Sequence, residues 1–212
     1  LLVGACVAPG AQAPADHLVL PGFWDDPPDC VVVLPMAGAA GAADESGLSA
    51  MTVERALARH LFGRTGAVIG PDRRDADARR LALDLRHPGD RARYTDLAAC
   101  RHGAEITVAG GRGYAVVWAE VSIDLKARLI DLATGMTLWQ ARHHGSRGDG
   151  GVPASPLGLA LAVGQASMFA TDGDVLSSVL DDGLRALVAT LPDTRAYAAS
   201  RNSSVRPLSS RK

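Results

Sequence analysis

The chain has 212 residues, with 22 lysines and arginines against 23 aspartates and glutamates, and its net charge is −1 at neutral pH. This balance and an aromatic content of only 4% argue against nucleic-acid binding, which needs a basic surplus and aromatic side chains for base stacking. The hydrophobic fraction of 47% is typical of a globular protein and too high for a disordered one. The length predicts one folded domain with additional terminal segments.

The first six residues, LLVGAC, place apolar and then small residues before a cysteine. This order is typical of the lipobox at the end of a bacterial lipoprotein signal peptide, where the cysteine thiol is acylated and the chain is cut before it. We therefore predict that residues 1–6 are the remnant of a signal peptide and that Cys6 carries the lipid. The alternative is an arbitrary starting point within an apolar strand. Val7 follows in place of aspartate, which favours the outer membrane in the sorting rule of enteric bacteria.

Residues 7–29 are rich in proline, glycine and alanine. Proline at this density blocks both helix and ladder hydrogen bonds, and the segment is therefore predicted to be a semi-extended tether. No stretch of the sequence is long and apolar enough to span a bilayer as a helix.

If Cys6 is acylated, Cys30 and Cys100 remain as a pair in an oxidising compartment. Each precedes a predicted strand, and two neighbouring parallel strands would place both cysteines at the same end of a sheet, where a disulfide is geometrically allowed. Two buried free thiols are the alternative, and the sequence does not choose between them.

Apolar periodicity predicts the first half of the folded region. Continuous apolar runs closed by proline indicate buried strands at residues 31–34 and 67–70. Apolar residues at four-residue spacing from Ser49 indicate an amphipathic helix that ends near residues 63–66. Two shorter helices are predicted within residues 72–86 and 91–101, followed by a strand near residues 105–109.

The second half contains the clearest pattern in the chain. Residues 117–129 alternate apolar and polar side chains, which predicts a long antiparallel strand with one wet face. Turn residues at 131–135 and an apolar segment from Met136 complete a β-hairpin, with Gly135 available for a positive φ. A polar, glycine-rich loop is expected at residues 143–156. A helix is expected at residues 174–191, with Asp174 as its N-cap.

The strand-helix-strand order after a cysteine and a proline-rich segment, and the phrase Leu129-Ile-Asp-Leu-Ala-Thr-Gly-Met-Thr-Leu-Trp139, resemble a group of bacterial outer-membrane lipoproteins. The group includes the curli-export lipoprotein CsgG, the exopolysaccharide-export lipoprotein PelC, the synthase activator LpoB and uncharacterised lipoproteins of the same fold. The resemblance covers about residues 31–191, and its motifs are structural. It implies a ring-forming lipoprotein that faces the periplasm.

Together these observations predict a single α/β (α+β) domain whose mixed sheet carries a long antiparallel hairpin and is flanked by helices. The predicted boundaries are residues 1–6 for the signal remnant, 7–29 for the tether, 30–192 for the domain and 193–212 for a disordered tail.

No constellation of residues points to catalysis, a cofactor or a metal. His143 and His144 are adjacent and on a strand would point to opposite faces, and His60, His87 and His102 lack partners at ligand spacing, which favours surface histidines. The run at residues 110–113 lacks the lysine and the following helix of a phosphate loop, and we interpret it as a bulge or turn.

Two surfaces suit assembly. Residues 157–170 are apolar nearly all round and rich in small side chains, which indicates either a subunit or membrane contact or a core helix. The wet face of the long strand carries Glu120, Asp124, Lys126 and Arg128, and it is either a lateral contact between like subunits or a solvated face.

We therefore predict a non-enzymatic lipoprotein on the periplasmic face of the outer membrane, which self-associates as a ring and supports the assembly or export of a surface structure or polymer. Its predicted partners are further copies of the chain and other export or envelope proteins. The alternative is a monomeric binding module that activates a periplasmic enzyme such as a cell-wall synthase.

Overall fold

The computed structural model describes residues 14–36, 48–115, 118–150 and 173–195. These residues form one mixed sheet of six strands with helices packed against it, which confirms the predicted fold class. The strands are β1 Asp16–Val19, β2 Cys30–Val33, β3 Ala67–Ile69, β4 His102–Ala115, β5 Trp118–Asp131 and β6 Thr137–Gly150. The helices are α1 Gly22–Asp25, α2 Ala50–Phe62, α3 Pro71–Leu81, α4 Pro88–Ala98 and α5 Gly173–Val188.

The strand order across the sheet is β1-β6-β5-β4-β2-β3. Strands β4, β5 and β6 form an antiparallel meander, β1 adds antiparallel to β6, and β2 and β3 add in parallel on the far side of β4. The sheet therefore has two different ends: a long antiparallel part bordered by β1, and a short parallel part bordered by β3.

Burial explains why the apolar runs of the sequence lie where they do. Val31, Val32 and Val33 of β2 are fully buried because α2 packs on one face of the sheet while α3 and α4 pack on the other. Helix α2 begins after Ser49, whose hydroxyl accepts a hydrogen bond from the Thr52 N–H at 3.1 Å.

The larger apolar core lies between the sheet, α2 and α5. It contains the alternating residues of β5 together with the buried leucines and valines of the two helices: Val121, Ile123, Leu125, Ala127, Leu129, Val53, Leu57, Leu61, Leu176, Val179, Leu180, Leu184, Leu187 and Val188. We call the sheet face that contacts this core the inner face and the opposite face the outer face. A smaller core under α3 and α4 covers the outer face only around β2 and the base of β4 and β5.

A buried ion pair fastens α2 and α3 to the end of β2. Glu54 and Arg74 are each 3% exposed, and Arg74 Nη2 lies 2.8 Å from Glu54 Oε2. Arg74 Nη1 also donates to the Val33 carbonyl at 2.8 Å, and Glu54 Oε1 accepts from the Met36 N–H at 2.8 Å. Both carboxylate oxygens of Glu54 and both terminal nitrogens of Arg74 therefore have a partner.

The predicted turn between β5 and β6 is present. Asp131 Oδ1 accepts hydrogen bonds from the backbone N–H groups of Ala133 and Thr134, and its Oδ2 accepts from Arg101 Nε. Burial alone would raise the pKa of Asp131, but these hydrogen bonds and the Arg101 charge outweigh it and hold the pKa below its ordinary value. Gly135 has φ +73°, the left-handed conformation that glycine adopts without strain.

Two loop predictions are wrong. The sequence predicts a polar loop from residue 143, but β6 continues to Gly150 and pairs with β5 along its whole length. Likewise, residues 110–113 are not a bulge or turn but part of β4. Both segments are rich in glycine and have little strand preference of their own, so pairing with β5 decides their conformation. At Gly110 only glycine fits, since a Cβ would collide with the Ser122 carbonyl.

The ends of the folded unit also differ from the expected ones. Residues 16–25, predicted as part of the tether, form β1 and α1, and Phe23 is fully buried. Thr194, predicted in the tail, is buried, and its N–H donates to the Arg64 carbonyl at 2.9 Å. Asp174 lies in the first turn of α5, which begins at Gly173. Residues 1–13 and 196–212 lie outside the described residues.

Candidate functional site: the ribbon of β4, β5 and β6

The three cysteines of the sequence fall in different places. Cys6 lies outside the described residues. Cys30 and Cys100 form a disulfide, with their Cα atoms 5.3 Å apart. It joins the first residue of β2 to Cys100, two residues before β4, because these neighbouring strands run parallel and start at the same end of the sheet. No helix among the described ranges has the length and apolar character needed to cross a membrane.

The sequence predicts that the histidines lie on the surface, but two of them are buried. His102 is 2% exposed and His143 is 5% exposed, and burial lowers the pKa of both imidazoles below the ordinary value. His102 lies at the start of β4, with Nε2 3.8 Å from Asp26 Oδ2, whereas His143 lies under α5. Within the described part of the chain, no group of three histidine, cysteine or acidic side chains is placed to hold a metal.

We call the antiparallel meander of β4, β5 and β6 the ribbon, and its strands are much longer than the other strands of the sheet. Each of its strands is 14 residues long. Helix α5 covers the inner face, where Gly145 leaves room for Val179 and Gly183 leaves room for Leu125. The outer face beyond α4 has no helix over it among the described elements. The ribbon therefore presents a polar face and a strand edge to its surroundings.

Rows of charge cross the outer face. Strand register places Asp16, Arg142, Lys126 and Thr107 in one row and Leu18, Gln140, Arg128 and Glu105 in the next. Lys126, Arg128, Arg142, Leu18 and Gln140, all exposed, line a shallow depression of about 300 Å³. We call these five residues the cationic patch. Farther along the ribbon the face is different, since Asp124 accepts a hydrogen bond from His144.

The edge of the ribbon is only partly covered. Strand β1 pairs with residues 139–142 of β6, and no strand among the described residues pairs with residues 143–150 on that side. We call residues 143–150 the open edge. The Leu138 carbonyl accepts a hydrogen bond from the Leu20 N–H, so it points to the β1 side of β6. Every second residue of a strand directs its N–H and C=O groups to the same side. The backbone groups of the later even-numbered residues therefore point to the open edge.

The opposite end of the sheet has a different character. Strand β3 pairs only with β2 among the described strands, and beside it Phe62 is 68% exposed. Phe62, Ala58 and Val68 line a shallow apolar hollow at this end. An exposed phenylalanine next to a strand edge is a feature of contact surfaces.

Sequence reasoning identified the charged face but missed the open edge. Glu120, Asp124, Lys126 and Arg128 lie on the outer face, as the alternation predicts. The open edge was hidden because glycines and histidines at 143–150 read as a loop. Residues 157–170, the other predicted contact surface, lie outside the described residues.

No family model matches the sequence, and no curated protein matches it. Solved structures to which the chain is similar include the PelC dodecamer from Paraburkholderia phytofirmans, at 16% identity and TM-score 0.41 over 83% of this chain and 94% of that one. Lipoprotein GNA1162 from Neisseria meningitidis gives 15% identity and TM-score 0.45 over 68% and 100%. The hypothetical protein CT253 from Chlamydia trachomatis gives 13% and 0.45 over 82% and 99%. Identities and TM-scores this low transfer no property of these proteins to this chain.

Proposed function

We propose that this protein is a non-enzymatic lipoprotein, anchored through Cys6 to the periplasmic leaflet of the outer membrane, which self-associates in a ring and supports the assembly or export of a surface structure or polymer. The observation that carries the proposal is the open edge of β6. The remaining support comes from the lipobox and from the disulfide.

An open strand edge is a binding surface because its unpaired N–H and C=O groups seek partners. Soluble proteins protect such edges with lysine, proline, bulges or short strands. The open edge has no lysine or proline, and Arg147 on its inner face is already paired with Asp182. Three of its eight residues are glycine, which lets another backbone approach closely. A strand edge of a second copy of the chain can be this partner, and it is present wherever the protein itself is present.

The two ends of the sheet suit a ring rather than a pair. The open edge lies at one end of the strand order and the apolar hollow of Phe62 lies at the other. Contact between two unlike surfaces leaves one of each free on every growing assembly, which becomes a ring where the rotation between neighbouring copies closes. Contact between two like surfaces stops at a dimer.

The disulfide supports an extracytoplasmic location. Disulfides persist in oxidising compartments and are rare in the bacterial cytoplasm, and Cys30 and Cys100 are joined in the structure. A lipid at Cys6 would hold the domain at the membrane by a chain of about ten residues, since β1 begins at Asp16.

The deciding experiment is native mass spectrometry of the acylated protein in detergent, with variants at each end of the sheet. Ser146→Pro removes an N–H that faces the open edge and leaves the bonds to β5 in place. Phe62→Asp places a charge on the apolar hollow. Each variant alone should be monomeric, and a mixture of the two should give a dimer only, because one sound surface of each kind remains.

His17→Pro is the matched control for the strand edge. Its N–H faces away from β6, since its neighbours Asp16 and Leu18 pair with β6, and this variant should assemble as the wild type does. If Ser146→Pro is monomeric while Phe62→Asp still dimerises, two open edges contact each other, and the ring is overturned. A monomeric wild type with one stoichiometric synthase partner in a pull-down would favour the activator of a periplasmic enzyme instead.

A further inference from the structure

The cationic patch combines positive charge with an exposed apolar side chain. In the sheet register Lys126 lies directly opposite Arg142, Arg128 lies directly opposite Gln140, and Leu18 follows on β1 in the same row as Gln140. Leu18 is 52% exposed. The patch thus has a leucine at one side of three cationic side chains on one flat face.

The charges of the patch are only partly balanced within the chain: Asp16 lines the same depression in register with Arg142, but it forms no ion pair with either Arg142 or Lys126. Neither Lys126 nor Arg142 has a carboxylate within ion-pair distance among the described residues, whereas Arg128 pairs with Glu105, which also accepts Arg91. Arg55, by contrast, is exposed but paired with Asp72. Two cations directly opposite each other on neighbouring strands repel and destabilise the sheet. An anion bound between them would relieve this repulsion.

The path of the chain points to the source of that anion. Asp16, the first residue of β1, lies in register with Arg142, so β1 begins beside the cationic patch. Nine residues lie between Cys6 and Asp16, and the ten Cα–Cα steps of that segment span about 35 Å when fully extended. A lipid on Cys6 therefore keeps the patch within that distance of the leaflet that holds the lipid.

We propose that the cationic patch binds the anionic phospholipid headgroups of that leaflet, with Lys126 and Arg142 on the phosphates and Leu18 at the boundary with the acyl chains. The location rests on the proposed lipid at Cys6. Stable attachment at a membrane surface commonly combines a lipid with basic side chains, and the attraction to anionic lipid adds to the burial of apolar surface.

This binding would also orient the protein for assembly. The patch lies on the face of the sheet, while the open edge and the Phe62 hollow lie at its two ends. With the outer face against the membrane, both contact surfaces point along the membrane plane. Neighbouring copies then meet by diffusion in two dimensions.

The test uses the full chain with Cys6→Ser, so that no lipid contributes to binding. Co-sedimentation is measured with vesicles of phosphatidylethanolamine and phosphatidylglycerol at four to one, and with vesicles in which phosphatidylcholine replaces phosphatidylglycerol. We expect binding only to the anionic vesicles, weakened by added salt. Lys126→Gln with Arg142→Gln should lower the partition coefficient about thirtyfold, as expected for two cations near an anionic membrane. Leu18→Ser should lower it further.

The matched control is Arg73→Gln with Arg80→Gln, which removes the same net charge from exposed positions of α3. It should bind as the parent does, and an equal loss in both double variants would overturn the patch. Binding to soluble polyglutamate but not to anionic vesicles would overturn it in favour of a soluble polyanion. Intact mass of the protein from cells reports acylation of Cys6 separately, so failure of the anchor and failure of the patch are told apart.

Discussion

Replacing Arg74 by methionine removes the cation from the buried ion pair that holds α2 and α3 on the end of β2. The Glu54 carboxylate then stays at 3% exposure with the hydrogen bond from the Met36 N–H, and the Val33 carbonyl loses the Arg74 donor. Breaking one side of a buried ion pair costs about 3–5 kcal/mol, because an uncompensated charge is left in the interior. In a domain of this size that corresponds to a fall in Tm of about 10 °C.

The assay is urea unfolding followed by far-ultraviolet circular dichroism, with the single variants Arg74→Met and Glu54→Leu and the double variant. The double variant removes both charges together but leaves the Val33 carbonyl and the Met36 N–H without these partners. Its free energy of unfolding should therefore lie between that of the wild type and those of the single variants. Both single variants should be far less stable. The cycle thus gives a large coupling energy between the two positions.

Arg55→Met is the matched control, since Arg55 of α2 and Asp72 of α3 form an ion pair between the same two helices but on the surface. Exposed pairs contribute little because water screens them, and this variant should unfold close to the wild-type midpoint. The reasoning is refuted if Arg74→Met is no more destabilising than Arg55→Met, or if the double variant is as unstable as the single ones.

Three further predictions concern the disulfide, a buried histidine and the hairpin turn. Cys30→Ala with Cys100→Ala should lower the free energy of unfolding by about 4 kcal/mol, because the disulfide closes a loop of 70 residues; alkylation of two thiols in the unreduced protein would contradict this. Burial lowers the pKa of His102 despite nearby carboxylates. Below about pH 6.5 the unfolded chain therefore binds a proton that the folded chain does not, and stability should fall from about pH 7.5 to about pH 5.5, less steeply in His102→Gln. Gly135→Ala forces alanine to φ +73° and should cost about 1 kcal/mol in urea unfolding, with a smaller loss for Gly135→Asn.

The elements predicted from sequence are those whose burial pattern is strong and local. The apolar run of β2, the four-residue spacing of α2 and the alternation of β5 each match the burial in the structure. The turn at Gly135 follows from turn chemistry alone. The charged outer face also follows from alternation, since a strand with one buried face must present every second side chain on the other.

The errors lie where the local sequence is weak and a distant segment decides the conformation. Residues 143–150 have the composition of a loop, yet they form a strand because β5 offers 14 residues of partner and α5 covers the inner face. Residues 16–19 follow a proline and have no periodicity to mark them, yet they add to the edge of β6. His102 and His143 are buried for the same reason, since packing and not their own polarity sets their exposure.

The sequence by itself determined the class of the protein: a near-neutral domain with a mixed sheet, a lipobox-like run before Cys6 and no catalytic constellation. Only the tertiary structure decided which surfaces are available for contact. Among the described residues, strand pairing leaves residues 143–150 of β6 open on one side, and it places Leu18 of β1 beside Gln140 of β6. Such surfaces depend on register between segments that are distant in the chain, and register is set by the summed packing of the whole sheet.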